Sequence, residues 1–336
     1  MQALQLDAIH QPVTLREVPT PTPGPGEILV RLHAAALNHR DVFIQAGKYA
    51  GIKLPCTLGA DGAGEVVAYG SGVPAEAPAV GARVLLNPGL RWGDNPRVQA
   101  RDFVVLGMPD PGTFAQYIVL PAQYVRPLPA HLSFEQGAAL PLAGLTAYRA
   151  AFGRARVQDG ERVLVTGVGG GVALQAAQFC AARGAEVWVT SGDDDKLARA
   201  LALPLGLRGG VNYRAENWGR ALTKQAGGSF DVVIDSAAGA AFGTLLDVAA
   251  PGGRLVFYGA TLGNVPQLPA AKVFWKQLSL LGSSMGSARD FDDMLALVNE
   301  HQLVPVVDKI FPLAEGEAAL RYLEAGRQLG KVVLTC

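Results

Sequence analysis

Short apolar runs separated by Gly and Pro dominate the first third of the chain. The runs are rich in β-branched residues, and this pattern predicts strands. They lie at EILVRL (27–32), GEVVAYG (64–70), GARVLL (81–86) and AQYIVL (115–120). We expect a mainly antiparallel β domain with the character of a partly open barrel.

The spacing of apolar residues changes after Pro129. Residues 132–152 have helical spacing, and apolar strands then alternate with helical stretches such as 172–184. The strands are predicted at 162–167, 186–191, 209–213, 230–236, 253–259 and 278–283. This alternation is typical of a doubly wound parallel sheet that helices cover on both faces.

We therefore predict an α/β chain of two domains, because 336 residues exceed what one hydrophobic core usually organises. A helix near 290–301 and a strand at 330–335 are expected to return to the β domain. The β domain then comprises residues 1–126 and 284–336, and the parallel-sheet domain comprises residues 127–283.

Residues 87–113, which we name the lobe, are too long for an ordinary hairpin. Trp92 stands there among Arg91, Arg97 and Arg101. These residues could form a lid over the substrate or a subunit contact, and since aromatic residues with arginines are typical of interfaces, we favour the oligomer contact.

The composition of the chain limits the kinds of partner that it is expected to bind. Lys and Arg together number 29, as do Asp and Glu, so the formal net charge is zero and the surplus typical of nucleic-acid binders is missing. No apolar stretch approaches the roughly 20 residues that span a bilayer, and the N-terminal residues do not resemble a signal peptide. Three widely spaced cysteines do not form a disulfide framework. We expect a cytoplasmic protein with a small-molecule substrate.

A Gly-rich turn follows the first strand of the parallel sheet, in VLVTGVGGGVALQAAQ (163–178). Such a turn lets the backbone approach a pyrophosphate at a helix N-terminus, although Gly-rich turns also occur without a ligand. Since a strand precedes this one and further β-α units follow, we interpret it as a dinucleotide loop. The predicted contacts are Gly167, Gly169, Gly170, Gly171 and Val172.

The end of the second strand bears on the choice of cofactor. Ser191 ends that strand and Lys196 follows, while Tyr213 and Arg214 end the third strand. A hydroxyl with nearby cations suits the 2′-phosphate of NADP. The acidic residues 193–195 oppose this interpretation unless they begin the next helix, where carboxylates meet the helix dipole. We favour NADPH.

A polar group of residues, Asn38-His39-Arg40-Asp41, lies within the otherwise apolar segment 35–46. With the dinucleotide loop, GADGAGEVVAYGSGV (59–73), LPLAGLTAYRA (140–150) and a closing GKVVL, the whole chain resembles the medium-chain dehydrogenase/reductase superfamily. The resemblance implies a GroES-like catalytic domain and a Rossmann nucleotide-binding domain.

The resemblance also shows which positions of this sequence would have to hold zinc ligands. Alcohol dehydrogenases of the superfamily hold a catalytic zinc with Cys, His and Cys, and the matching positions here are Asn38, Ala60 and Leu142. They hold a structural zinc with four Cys in a lobe that here has no Cys. Since these residues cannot replace thiolate and imidazole ligands, we expect no metal. Asn38 resembles the zinc-free quinone oxidoreductase branch, where such an Asn lies beside the nicotinamide.

The remaining site residues follow from this comparison. Asn38 is predicted to be a catalytic donor near the nicotinamide or the substrate oxygen, or else a residue that satisfies loop backbone. Asp41 is predicted to be catalytic, although it can instead pair with Arg40, and His39 contacts a cofactor phosphate or is structural. Further predicted cofactor contacts are Thr146, Tyr258, Gly259, Thr261, Gly282, Ser283 and Lys331.

We predict a zinc-independent, NADPH-dependent oxidoreductase that reduces a quinone or an α,β-unsaturated carbonyl compound. A homodimer is expected, since the last strand of such a sheet can pair across a two-fold axis. Two alternatives stay open: a non-catalytic NADPH-binding or redox-sensing protein, and an alcohol dehydrogenase, which the missing ligands disfavour.

Overall fold

The computed structural model describes residues 1–336, and the chain divides into two compact units. Unit 1 comprises Met1–Ala143 and Gly286–Cys336, and unit 2 comprises Gly144–Met285. Unit 1 therefore includes residues 127–143, which the sequence analysis assigns to the other domain. The physical reason is a short helix, Phe134–Ala138, that packs on strands of the unit 1 sheet.

The N-terminal part of unit 1 is built mainly of short strands. These are β1 (Gln2–Leu6), β2 (Thr14–Glu17), β3 (Glu27–Ala36), β4 (Cys56–Thr57), β5 (Asp61–Tyr69), β6 (Arg83–Leu86), β7 (Gly89–Leu90), β8 (Val104–Val105), β9 (Tyr117–Pro121) and β10 (Val125–Pro127). The helices are α1 (His39–Gln45) and α2 (Phe134–Ala138), with a 3₁₀ turn at Ala122–Tyr124, and the next helix, α3 (Pro141–Tyr148), contains the boundary between the two units.

Unit 2 alternates strands with helices. After a π-helical stretch, Arg149–Arg154, its strands are β11 (Arg162–Val165), β12 (Glu186–Ser191), β13 (Leu207–Asn212), β14 (Phe230–Asp235), β15 (Ala249–Phe257) and β16 (Ser279–Gly282). Its helices are α4 (Gly171–Ala182), α5 (Asp194–Ala202), α6 (Trp218–Gln225), α7 (Phe242–Val248) and α8 (Ala270–Trp275). No helix of the structure is long and apolar enough to cross a membrane.

The C-terminal segment belongs to unit 1. Its elements are α9 (Ala288–Glu300), β17 (Val307–Pro312), a 3₁₀ turn at Leu313–Glu315, α10 (Gly316–Glu324) and β18 (Lys331–Thr335). Strand β18 pairs antiparallel with the end of β3, from Ala34 to Ala36. The last strand of the chain thereby lies beside the end of β3, and the polar residues 38–41 follow shortly after that end in sequence.

The largest sheet of unit 1 has the order β10-β6-β5-β3-β18-β17, and β9 also pairs with β3. Register shifts interrupt the pairing of β3 with β5, which is how a sheet bends toward a barrel. At one of these places only glycine fits, because a Cβ on Gly64 would lie 1.9 Å from the carbonyl oxygen of Arg31. The predicted β-rich, partly open architecture is confirmed.

The sheet of unit 2 is parallel throughout, with the order β13-β12-β11-β14-β15-β16. Numbered within the unit, this is 3-2-1-4-5-6, the order of the doubly wound dinucleotide fold. Its central strands β11, β12 and β14 are mostly buried, as their apolar sequences predict. The strand order changes direction beside β11, so the loop after β11 lies where such folds bind ligands.

Candidate functional site

The polar residues 38–41 form the turn between β3 and α1. Asn38 precedes the helix with extended backbone (φ −131°, ψ 154°), and its N–H donates to Asp41 Oδ2 at 2.8 Å. This is a helix-capping contact, since a carboxylate in the first turn accepts an otherwise unpaired N–H group. The Asn38 side chain hydrogen-bonds instead to Asp61 and Lys331.

Lys331 is the centre of a buried cluster that the sequence alone does not show. Its side chain is 4% exposed, and Nζ donates to Leu37 O at 2.7 Å, Asn38 Oδ1 at 2.7 Å and Asp61 Oδ2 at 2.9 Å. An ammonium group has three protons, so these acceptors use all of them. Lys331 reaches this place because it is the first residue of β18, beside the end of β3.

Asp61 is the anionic partner in the cluster. It is fully buried at the start of β5, and Oδ2 also accepts from Asn38 Nδ2 at 2.9 Å. Oδ1 accepts the N–H of Leu142 at 2.7 Å, near the start of α3. Both carboxylate oxygens are therefore bonded, as a buried charge requires. Sequence analysis missed Asp61, although an acidic residue next to an apolar strand is itself a signal.

Asp41 lies in a less satisfied environment. Its Oδ1 is buried without a hydrogen-bond partner and lies 3.9 Å from Arg40 Nη1. Burial raises the pKa of Asp41 from 3.8 to about 6, while the Arg40 charge opposes the rise. The Asp41 carboxyl group therefore titrates closer to neutral pH than an ordinary carboxyl group does.

Arg40 connects the polar turn to the lobe. Its guanidinium donates to the carbonyl oxygens of Leu106, at 2.7 Å, and Val105, at 3.3 Å, and lies over the ring of Tyr49. From the sequence, Arg40 is expected as a partner of Asp41. In the structure Arg40 lies near Asp41 and also donates to these two carbonyl oxygens of the lobe.

The lobe is folded around its own aromatic residues. The Trp92 ring is buried, meets Phe103 edge to face at 5.2 Å between centroids, and donates to Asn95 O. Arg91 pairs with Asp110 at 3.1 Å. Because its Trp92 ring is used inside the lobe, the expected subunit contact through Trp92 is not supported.

The residues at the zinc positions do not fit a zinc ion. Asn38 Oδ1 is bonded to an ammonium, and Ala60 and Leu142 have no donor atom in their side chains. No group of three or more His, Cys, Asp or Glu side chains in the structure is arranged to hold a metal. A tetrahedral zinc site needs such ligands, and the side chains at these positions do not supply them.

In unit 2, the dinucleotide loop joins β11 to α4. Gly167 has φ +68°, a conformation that favours glycine, and Gly170 caps the N-terminus of the 12-residue helix α4. The loop is fixed to β12 by the Val168 N–H, which donates to Thr190 O at 2.7 Å. Gly169, Gly171 and Val172 complete the turn and the start of the helix.

A second polar group lies at the carboxyl ends of β12 and β13. A Cβ built on Gly192 would lie 2.4 Å from the Tyr213 hydroxyl oxygen and 3.1 Å from Arg214 Nε. Both side chains therefore cover the backbone directly after Ser191. An open pocket of about 440 Å³ adjoins them, lined by Gly192, Asp193, Asp194, Asp195, Asn212 and Arg214.

The three acids begin helix α5, as predicted. Asp193 is the N-cap and accepts the Lys196 N–H at 2.9 Å, while Asp194 and Asp195 are in the first turn. Asp194 also accepts from Asn212 Nδ2 at 2.9 Å. The Ser191 hydroxyl accepts the Asp193 N–H, and Lys196 is half-buried in α5.

The other predicted residues of unit 2 follow β15 and β16. The Thr261 hydroxyl approaches the Ser236 carbonyl oxygen at 3.4 Å, and Gly259 packs tightly on the same backbone. Tyr258 hydrogen-bonds Ser236, and burial raises its pKa. Gly282 O accepts from Arg154 Nε at 2.8 Å, and the Ser283 hydroxyl is buried without a partner.

Two predicted residues lie apart from these groups. Thr146 on α3 is buried, and its hydroxyl contacts Met285 Sδ at 3.9 Å. His39 is exposed at the start of α1, with its ring 6.4 Å from that of Phe43. Within unit 1 the structure thus brings together Asn38, Asp41 and Lys331. Within unit 2 it brings together Ser191 and Tyr213, whose N–H donates to Ser191 O at 2.9 Å, while Lys196 lies in the first turns of α5.

Comparison with known proteins agrees with this architecture. Residues 24–130 match the family model of the alcohol dehydrogenase GroES-like domain, and residues 171–300 match that of the zinc-binding dehydrogenases. A zinc-type alcohol dehydrogenase-like protein, YogA, of Leptosphaeria maculans is 35% identical, with 97% of this chain and 95% of that protein covered.

Two further comparisons cover nearly the whole chain. The rat (Rattus norvegicus) quinone oxidoreductase is 28% identical over 99% of this chain and 97% of its own. The crystal structure of an NAD-dependent alcohol dehydrogenase superposes with a TM-score of 0.93, 39% identity and full coverage of both chains. The chain is therefore an oxidoreductase of the medium-chain dehydrogenase/reductase superfamily.

Proposed function

We propose that this protein is a cytoplasmic, zinc-independent, NADPH-dependent oxidoreductase that reduces a quinone or an α,β-unsaturated carbonyl compound. The observation that carries the proposal is the Asn38–Asp61–Lys331 cluster. It stands where zinc-type relatives place a metal ligand, and it offers an amide N–H instead of a Lewis acid. The similarity to quinone oxidoreductase supports the same reaction class.

The chemistry suits such a cluster. Bound NADPH supplies a hydride, and its addition to a conjugated carbonyl moves negative charge onto the substrate oxygen. We propose that Asn38 Nδ2 donates to that oxygen, because a fixed donor stabilises charge as it develops. Alcohol oxidation would require an alkoxide, which the Asn38, Ala60 and Leu142 side chains do not help to form.

The proposed cofactor site lies in unit 2. The pyrophosphate is expected at the N-terminus of α4, with contacts from Gly167, Gly169, Gly170, Gly171 and Val172. Ser191, Lys196, Tyr213 and Arg214 would hold the 2′-phosphate. Tyr258, Gly259, Thr261, Gly282 and Ser283 are proposed contacts along the carboxyl edge of the sheet, and Thr146 and His39 are further proposed cofactor contacts.

The choice of NADPH over NADH rests on Tyr213 and Arg214. Both lie against Gly192, and Asp193, which would repel a phosphate, is occupied as the N-cap of α5. A similar solved structure is that of an NAD-dependent enzyme, so the opposite preference is a real alternative.

We also propose a homodimer formed through unit 2. Strand β16 is the last strand of its sheet, with one edge unpaired. Two apolar side chains of α8, the helix that precedes β16, are unusually exposed: Trp275 is 84% and Phe274 63% exposed. A second copy that covers them would bury this patch, since exposed apolar patches of this kind mark interfaces.

The cofactor assignment predicts a selective loss in the Arg214→Ala variant. Fluorescence titration should show NADPH binding weakened about 10- to 100-fold, as expected when a charge-assisted hydrogen bond to phosphate is lost. NADH binding should change little, and Arg208→Ala, at an exposed arginine of β13, should leave both unchanged. Preference of the wild type for NADH would contradict the assignment.

The reaction assignment predicts turnover with NADPH on a panel of quinones and enones. Asn38→Ala should lower kcat about 100-fold, the usual cost of removing one oxyanion donor. Binding of NADPH without turnover on any conjugated carbonyl would instead favour a redox-sensing protein. Stoichiometric zinc in the purified protein would favour the alcohol dehydrogenase alternative.

We propose that Asp41 fixes the backbone of Asn38. The raised pKa of Asp41 predicts that the stability of the folded protein depends on pH. Its pKa is about 6 in the folded protein against 3.8 ordinarily, so the folded state keeps the proton to higher pH than the unfolded state does. The free energy of unfolding should therefore fall as the pH rises from about 4 to about 6, by roughly 1–3 kcal/mol from this group. Denaturant titrations of Asp41→Asn should lack this fall, whereas the exposed-site variant Asp94→Asn should keep it.

The dimer predicts that Trp275→Glu shifts the protein toward monomer in sedimentation velocity, because a charge at the centre of an apolar contact is costly to bury. Val80→Glu, at an exposed apolar residue of unit 1, is the matched control and should remain dimeric. A wild-type protein that sediments as a monomer at micromolar concentration would contradict the proposal.

A further inference from the structure

We propose that Asp61 and Lys331 are positioning residues, which hold the Asn38 amide in one orientation and leave one Nδ2 proton for the reacting oxygen. The inference rests on the proposed function and adds to it the residues that set the direction of the donor. Lys331 then acts through Asn38 and not by contact with the cofactor.

The two charged groups impose opposite requirements on the amide. An ammonium only donates, so the atom 2.7 Å from Lys331 Nζ must be the acceptor Oδ1. A carboxylate only accepts, so the atom 2.9 Å from Asp61 Oδ2 must be Nδ2. An amide between neutral partners can rotate by 180°, but rotation here would leave both contacts repulsive.

The hydrogen bonds of the cluster leave one proton of Asn38 Nδ2 without a protein acceptor. Lys331 uses its three protons on Leu37, Asn38 and Asp61, and Asp61 has donors at both oxygens. Asn38 Nδ2 has two protons, and only the one to Asp61 has a protein acceptor. Asn38 is 8% exposed, and its charged partners are buried more deeply, with Lys331 4% and Asp61 0% exposed.

Burying the charges of Lys331 and Asp61 costs desolvation free energy, which structural stability alone does not explain. Lys331 is 4% exposed and Asp61 is not exposed, and a buried ion pair is often replaceable by apolar residues without loss of stability. What apolar residues cannot supply is a unique amide orientation. A buried, low-dielectric setting also strengthens the remaining N–H as a donor, because the ammonium polarises the amide from its oxygen end.

The test removes both charges together, because Lys331→Met alone would leave a buried carboxylate unpaired and could unfold the protein. In Lys331→Met/Asp61→Asn the site is neutral, and the amide oxygen introduced in place of the carboxylate can still accept the Leu142 N–H. Lys309→Met, at an exposed lysine of β17, is the matched control. We would measure kcat, the Kd of NADPH, and the side-chain amide signals in ¹⁵N-Asn-labelled protein, where the signal missing in Asn38→Ala identifies Asn38.

The expected result is a kcat at least tenfold lower in Lys331→Met/Asp61→Asn, with the Kd of NADPH within about twofold of wild type. Adding Asn38→Ala should lower kcat no further than Asn38→Ala alone, because the residues act as one unit. The Asn38 amide signals should shift or broaden in Lys331→Met/Asp61→Asn and stay in place in Lys309→Met.

Three results would overturn the inference. A raised Kd of NADPH would show that Lys331 contacts the cofactor. Additive losses of kcat would show that the pair acts independently of Asn38. Unchanged Asn38 amide signals would show that the charges do not orient the amide, and this measurement requires no turnover. If the wild type reduces no quinone or enone, the proposed function fails, while the amide signals still decide the positioning.

Discussion

The buried ion pair between Asp61 and Lys331 is the constraint on which the candidate site depends. It ties together the start of β5, the first residue of β18 and the turn after β3, which are far apart in sequence. Charges so deeply buried are tolerated only when every donor and acceptor is used, and here they are. The return of the C-terminal strand to the first sheet is therefore a condition for the site as well as for the fold.

Sequence patterns are sufficient for most of the fold. The central strands of unit 2, β11, β12 and β14, are mainly apolar and buried, as in a sheet with helices on both sides, and β12 begins and ends where its sequence predicts. The helical stretch 132–152 is less predictable, because it is divided into α2, α3 and a π-helical turn. Proline at position 141 favours a new helix start there, which periodicity alone does not indicate.

The candidate site is only partly readable from sequence. The polar residues 38–41 and the glycine turn are local motifs, each visible as a continuous stretch of the sequence. The partners of Lys331 are not, since they lie 270 residues or more away along the chain. Periodicity marks position 331 as part of a strand, but it carries no information about which buried carboxylate that strand meets.

The lobe shows how a segment keeps its fold without metal ligands. Trp92 packed on Phe103, the Arg91–Asp110 pair and the two carbonyl contacts of Arg40 hold residues 87–113 in place. None of these contacts involves a thiol, and the lobe has no cysteine. The folding of this segment is therefore indifferent to oxidants that attack thiolates and to competition for zinc inside a cell, two hazards to which a four-cysteine lobe is exposed.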